Sequence, residues 1–317
     1  MLRYFATRMA RVVPVLLIVT FVLTLLLSLI PGNPAEAVLG RDATPETLNA
    51  LESQMGLDDA VPVRYLKWLG RAVTGNLGKA LTSEEKVNDV IRERLPISLE
   101  IALTAQGIAL LIALTLGTLS AATVGSRFDR AVLAVTSAVQ SLPTFGTAIV
   151  GIIFFAVQRR WFPVTGWVRL TENPLDNLKS VALPALALGL TEGAVFTRVL
   201  RSEMSMTMNE DFVEAARGRG LPMRRIVYRH ALRPSSFGLV TVAGSTLARL
   251  IGGTVVIEAL FEIPGLGNKI VRALSTRDYT MIQGIAAFLC VVAVLLNVTV
   301  EMIYAWLDPR IRARAAR

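Results

Sequence analysis

"DFVEAARGRGLPMRRIVYRHALRP", Asp211 to Pro234, is polar, arginine-rich and helical in pattern, yet it lies between two strongly apolar stretches. On a wheel of 3.6 residues per turn, Phe212, Ala215 and Ala216 share a face opposite Asp211, Glu214 and Arg217, which predicts a short amphipathic helix. Gly218 and Gly220 end it, because left-handed backbone is cheap at glycine. Pro222 suits the first position of a second helix, where its missing N–H has no helical partner. The second helix puts Met223, Ile226, Val227 and Ala231 on one side and Arg224, Arg225 and Arg229 on the other. What this helix, turn, helix is for depends on its surroundings.

Those surroundings are made for lipid. Of the 317 residues 53% are hydrophobic and only 18% charged, and the mean hydropathy is +0.54, which together indicate a membrane protein. Val12 to Ile30 is an uncharged run of about 19 residues after Arg3, Arg8 and Arg11. It is followed by "IPGNP" rather than a small-x-small cleavage site, so it reads as a retained first span. Five more apolar segments follow, at about Ser98 to Val124, Ala131 to Val157, Val181 to Val199, Ser236 to Ile257 and Met281 to Leu307. Each is long enough for a hydrocarbon core of ~30 Å, and the total is six spans.

Charge orients them. The net charge of +9 comes from dispersed residues beside the spans, as in cytoplasmic loops, and does not point to nucleic acid. With six spans and a cytoplasmic N-terminus, the inner segments hold about 16 basic and 6 acidic residues, the outer ones about 15 and 14. Arg310, Arg312, Arg314 and Arg317, directly after the last span, agree with a cytoplasmic end. The polar stretch from Pro31 to Pro96 is expected to fold outside the membrane. It carries one helix starting at Pro45 after Thr44, with Leu48, Leu51 and Met55 on one face, and a second starting near Pro62.

Several chemistries are missing. No GxxxxGK[ST] phosphate loop occurs, so the chain is not expected to hydrolyse ATP alone; "GLG" at Gly265 to Gly267 reads as a turn. His230 is the only histidine and Cys290 the only cysteine, which leaves no zinc motif, disulfide framework or His-based catalytic arrangement. Transport, scaffolding or signalling remain. For Asp211 to Pro234, spacing alone leaves a surface helix or a docking element for a soluble partner; a DNA-binding helix-turn-helix is disfavoured because it would hold DNA against the membrane.

"EAARGRG", Glu214 to Gly220, with "RHALRP" about ten residues on, resembles the EAA signature of the membrane subunits of binding-protein-dependent ABC importers. "RMARVVPVLLIVTFVLTLLLSLIPGNP", "GLDDAVPVRYLKWLGRAVTGNLGKAL", "RERLPISLEIAL", "IEALFEIPGLGNKIVRALSTRDYTMIQG" and "WLDPRIR" extend the likeness, in order, to the B-type permeases of the dipeptide/oligopeptide/nickel group. Two departures, Asn33 between Gly32 and Pro34 and "LRPSSFGL" for an Asn-rich version, leave Glu214, Ala215, Ala216 and Gly220 untouched.

The resemblance implies an all-α membrane protein with six transmembrane helices in the type I ABC importer fold: a first helix over 1–30, an extracytoplasmic loop domain over 31–97, and a five-helix core over 98–317. Its coupling loop, about 200–235, would seat in a groove of an ATPase subunit. There Asp211 and Glu214 would offer anionic acceptors, Ala215 and Ala216 close approach, and Gly220 the turn. The implied partners are a second homologous permease, two ATPase domains, separate or fused, that use ATP and Mg, and an extracytoplasmic peptide-binding protein, assembled in a bacterial inner membrane. No cofactor or metal is expected on this chain. Nickel, chelated metal or glutathione are alternative substrates; a scaffold that tethers an ATPase without transport is the alternative of another class.

Glu192, Arg249, Glu258 and Glu301 lie in or at the ends of apolar segments, where a central unpaired charge costs ~3 kcal/mol. The three glutamates are expected at membrane interfaces, with Glu258 also a candidate for intramembrane pairing or the pathway, and deeper Arg249 in pairing or in the pathway. "SLPTFG", Ser141 to Gly146, combines a proline break with polar side chains, which makes Ser141 a candidate pathway residue. "VAGSTLARLIGG" is rich in small residues that permit close packing.

Overall fold

The computed structural model describes residues 2–30, 32–39, 44–81 and 83–307. The expectations for Arg310, Arg312, Arg314 and Arg317 fall outside the described residues, as do those for the side chains of Arg3, Arg8, Arg11, Met55 and Glu301. All regular structure is helical among the described residues, apart from a single bridge between Lys79 and Lys86. The helices are α1 Leu2–Leu29, α2 Pro34–Leu39, α3 Pro45–Met55 and α4 Val61–Val73, then α5 Val87–Ala122, α6 Arg127–Ser141, α7 Thr144–Gln158 and α8 Pro174–Thr207. They continue with α9 Asp211–Gly218, α10 Met223–Leu260, α11 Leu266–Ser275 and α12 Tyr279–Leu307.

Five of these are long and apolar enough to cross a membrane, and the bent pair α6 and α7, taken together as one span, brings the number to six. The bend is 100° and follows from Pro143. Leu142 before it is extended (ψ 134°), as the residue preceding proline must be, so α6 stops and α7 starts afresh in a new direction. The apolar segment from Ala131 to Val157 is thus two half-length helices, broken where the proline in "SLPTFG" predicts. The other long helices outrun their apolar windows. α8 begins at Pro174, capped by Asn173, whose Oδ1 accepts from the N–H groups of Leu175 (3.1 Å) and Asp176 (3.3 Å).

Contacts form two units, one within Met1–Ser98 and Pro264–Val298, the other within Leu99–Ile263 and Thr299–Arg317. In the first, α3 starts as its sequence requires: Thr44 Oγ1 accepts from Thr47 N, and Gly56 closes the helix at φ 67°. α4 lies back along α1. Tyr65 donates to Leu17 O (3.0 Å), meets Thr20 Oγ1 at 2.9 Å and sets its ring edge-on to Phe21. Farther along, Arg64 donates to Ser28. α12 joins through Gln283, which donates to Thr24 Oγ1 (2.9 Å). The loop after α4 is tied to α11 by the Lys269–Glu85 ion pair and to the start of α12 by Asp278, which accepts from Leu81 N (2.9 Å).

The second unit is built around α8. Phe196, Leu200 and Met204, at four-residue intervals, are fully buried with Ala109 and Ala113 of α5. Where α5 crosses α8 the chain uses glycine: a Cβ at Gly189 would stand 2.9 Å from Ala105 O and from Ile108 Cβ. Gln106 of α5 donates to Ala243 O of α10 at 2.9 Å, a polar tie within this apolar packing.

Candidate functional site

α8 leads through Met208 into the segment on which the sequence reading turned. α9 spans Asp211–Gly218 with Asp211 and Glu214 in its first turn, where carboxylates suit the positive end of the helix dipole. Gly220 has φ 73°, the conformation its role as a turn demands, and its N–H reaches Arg217 O at 2.9 Å. Pro222 sits one residue earlier than expected. It is the residue before α10, in extended conformation (φ −64°, ψ 142°), so its ring precedes the helix.

The buried face of α9 also differs from the expected one. Val213 (0% exposed) and Ala216 (6%) point inward, whereas Phe212 and Ala215 are exposed alongside Asp211, Glu214 and Gly220. Val213 is the reason. It packs with Leu200, Met204 and Met208 of the α8 end and with Ile226, Val227 and Ala231 of α10, and this fixes the roll of the helix. The second helix is no separate element: it runs through a π-helical turn, Ile226–Ala231, into the fifth apolar helix. Ser235 closes the unit by donating to Thr207 Oγ1 at 2.9 Å. The result is two-sided, with one face anchored in the protein core and the other open.

Beside it lies a centre that sequence reading missed. Asp129, 2% exposed, accepts from Arg201 Nε (2.5 Å) and Nη2 (2.7 Å), from Ser120 Oγ (2.5 Å) and from Gly125 N (2.9 Å). A buried carboxylate is tolerable only when its oxygens are answered in this way. It joins α5, α6 and α8 less than two turns before α8 ends. One signal was visible: Ser126 stands three residues before Asp129 and caps α6 by accepting from Asp129 N at 3.1 Å. Its partner, 72 positions away, was not.

Of the charges in apolar segments, Glu192 and Arg249 meet, Nη2 lying 2.9 Å from Oε2. Glu192 is thus held near the middle of α8 by its partner and not at a helix end. Glu258 is fully buried near the C-terminus of α10. Ser141 is exposed at the α6–α7 bend, its hydroxyl turned to Ser137 O (2.9 Å). The structure therefore brings Glu192 to Arg249 but joins neither Ser141 nor Glu258 to the α9 unit. Among the described residues no three His, Cys, Asp or Glu side chains are grouped to hold a metal ion.

Residues 1–102 match the family model for the N-terminal part of binding-protein-dependent transport system membrane components, and residues 113–313 match the model for the inner membrane component of such systems. The chain belongs to this family. As an inner membrane component it is a multi-pass permease subunit of an ABC importer, and subunits of this kind work with an ATPase and a substrate-binding protein. It is 36% identical over 305 residues, 96% of its own length and 97% of the other, to a Brucella abortus protein bearing the name of a peptide transport system permease. It is 33% identical over 333 residues to the di/tripeptide transport system permease DppB of Pseudomonas aeruginosa, covering 98% of this permease and 99% of DppB. A chain of the MetNI methionine ABC transporter in an inward-facing conformation matches at TM-score 0.58 and 18% identity, over 69% of this permease and 96% of that chain. This is the type I importer fold.

Proposed function

We propose that this permease forms half of the translocation pathway of an importer for short peptides, and that α9 receives the ATP-driven stroke. The peptide reading is supported by full-length similarity to proteins named as peptide permeases. The coupling reading is carried by one observation: Val213 and Ala216 are locked into the core while Phe212, Glu214 and Ala215 stand open on the same short helix. A groove that grips the open face moves the buried face with it, and the displacement passes into α8 and α10, which lead away from both ends of the segment. Asp211 and Glu214 offer acceptors to the groove, and Gly220 holds the return turn.

In this assignment 200–235 faces the cytoplasm, both termini are cytoplasmic, and 31–97 lies on the outer side of a bacterial inner membrane. A paralogous permease supplies the other half of the pathway. Two ATPase domains, separate or fused, bind ATP and Mg and perform the hydrolysis, while an extracytoplasmic binding protein delivers the peptide; this chain carries no cofactor of its own. Arg249, Ser141 and Glu258 are assigned to the pathway or to intramembrane pairing.

The test uses the reconstituted importer. Glu214→Arg, or Gly220→Pro, which forbids φ 73°, leaves the subunit inserted and abolishes stimulation of ATP hydrolysis by loaded binding protein. Normal stimulation in both variants sinks the assignment.

A further inference from the structure

Arg249 is the only charge between Arg233 and Glu258, and its guanidinium is incompletely used. A single nitrogen, Nη2, donates to Glu192 Oε1 (3.1 Å) and Oε2 (2.9 Å), with Thr246 Oγ1 at 3.5 Å. Nε–H and both Nη1 hydrogens have no partner among the described residues. The arginine side chain is 66% exposed and the glutamate 14%, so the carboxylate stands behind and the cation in front.

The surrounding face is equally specific. Thr241, Ser245, Arg249, Gly252 and Val256 recur at three- and four-residue intervals and so share one side of α10. All are exposed or half-exposed, and the middle of this stripe is polar or lacks a side chain. Beside Gly252 and Gly253 nothing lies within 4 Å of where a Cβ would stand. A guanidinium with free donors is not stable against hydrocarbon, so this open strip calls for water or a polar partner.

A carboxylate is the group that fits: planar, with two acceptor oxygens, and held by arginine through charge-assisted hydrogen bonds. Every unmodified peptide carries one at its C-terminus whatever its side chains, so a station for that group serves peptides of any sequence. We propose that Arg249 binds the C-terminal carboxylate of a peptide in transit, with Glu192 holding the guanidinium from behind. This rests on the peptide reading above.

The experiment compares uptake of trialanine and trialanine amide into proteoliposomes carrying the complete importer, each peptide at a concentration that saturates the binding protein. The wild type takes up the free acid about tenfold faster than the amide, and Arg249→Gln brings the two rates together. Glu192→Gln keeps the cation but loosens the hold on it, so the ratio falls by less than in Arg249→Gln. If Arg249→Gln does not assemble, Arg249→Lys carries the test, because an ammonium lacks the planar fork and the ratio falls about threefold or more. A ratio unchanged in the arginine variant that assembles overturns the proposal, whether both rates persist or both fall together. The latter is the result expected if Arg249 seats the second permease subunit. A wild-type ratio near one overturns it too while leaving the peptide reading intact. Failure of the wild type to take up either peptide removes both.

Discussion

Arg201→Ala tests how firmly the centre beside α9 is held. In the wild type, Asp129 Oδ1 accepts from Ser120 and Arg201 Nε, and Oδ2 from Gly125 N and Arg201 Nη2. The substitution removes both arginine bonds and leaves a carboxylate of 2% exposure with a hydroxyl and one peptide N–H. Breaking one side of a buried ion pair costs about 3–5 kcal/mol, because the remaining charge has neither solvent nor counterion. At about 2–4 °C per kcal/mol for a unit of this size, the purified importer in detergent should lose its folded form roughly 10 °C below the wild type, as followed by size-exclusion chromatography after heating. Asp129→Ala/Arg201→Ala should cost less than the two single changes combined, since no orphaned charge remains. A single variant that melts within about 2 °C of the wild type, or strictly additive effects, would refute the reasoning.

Two further outcomes are expected. Val213→Asp places an unanswered carboxylate at a position of 0% exposure and should prevent assembly, whereas Phe212→Asp, on the open face, should leave the subunit folded and weaken recovery of the ATPase on co-purification. Equal behaviour of the two would mean that α9 is rolled differently from the packing described here. In the loop after α4, the hydrogen bond from Lys269, and after it that from Ser83, hold the Glu85 carboxyl below its ordinary value against the opposing effect of burial. A lowered folded-state value means that the contribution is present above the unfolded pKa and fades as pH falls through the lower one. The difference in melting temperature between wild type and Lys269→Met should therefore be small, since Glu85 is 46% exposed, and should fade as pH falls through the lowered Glu85 value. A difference that persists in acid would place its origin elsewhere.

Much of the fold was readable because it is local. The break in the third span follows from Pro143 and the extended residue it imposes, and the start of α3 from Thr44 before Pro45. The turn at Gly220 follows from the low cost of φ 73° at glycine. What misled was periodicity within a short helix. In α9 both Phe212 and Val213 are apolar, and a wheel of eight residues cannot choose between the stripes they head. The core cluster that takes in Val213 together with Met204, Met208 and Ile226 made that choice.

The sequence by itself determined how many apolar segments there are, where the backbone must turn or stop, and that Asp211 to Pro234 is a polar helical unit set between spans. Neighbouring residues carry that information through hydropathy and backbone geometry. Only the tertiary structure decided which face of α9 is left open, that Arg201 answers Asp129 across 72 positions, and that Arg249 finds Glu192 across 57. Those facts depend on which helix lies beside which and at what roll, and the spacing of apolar residues along one helix does not encode its neighbour.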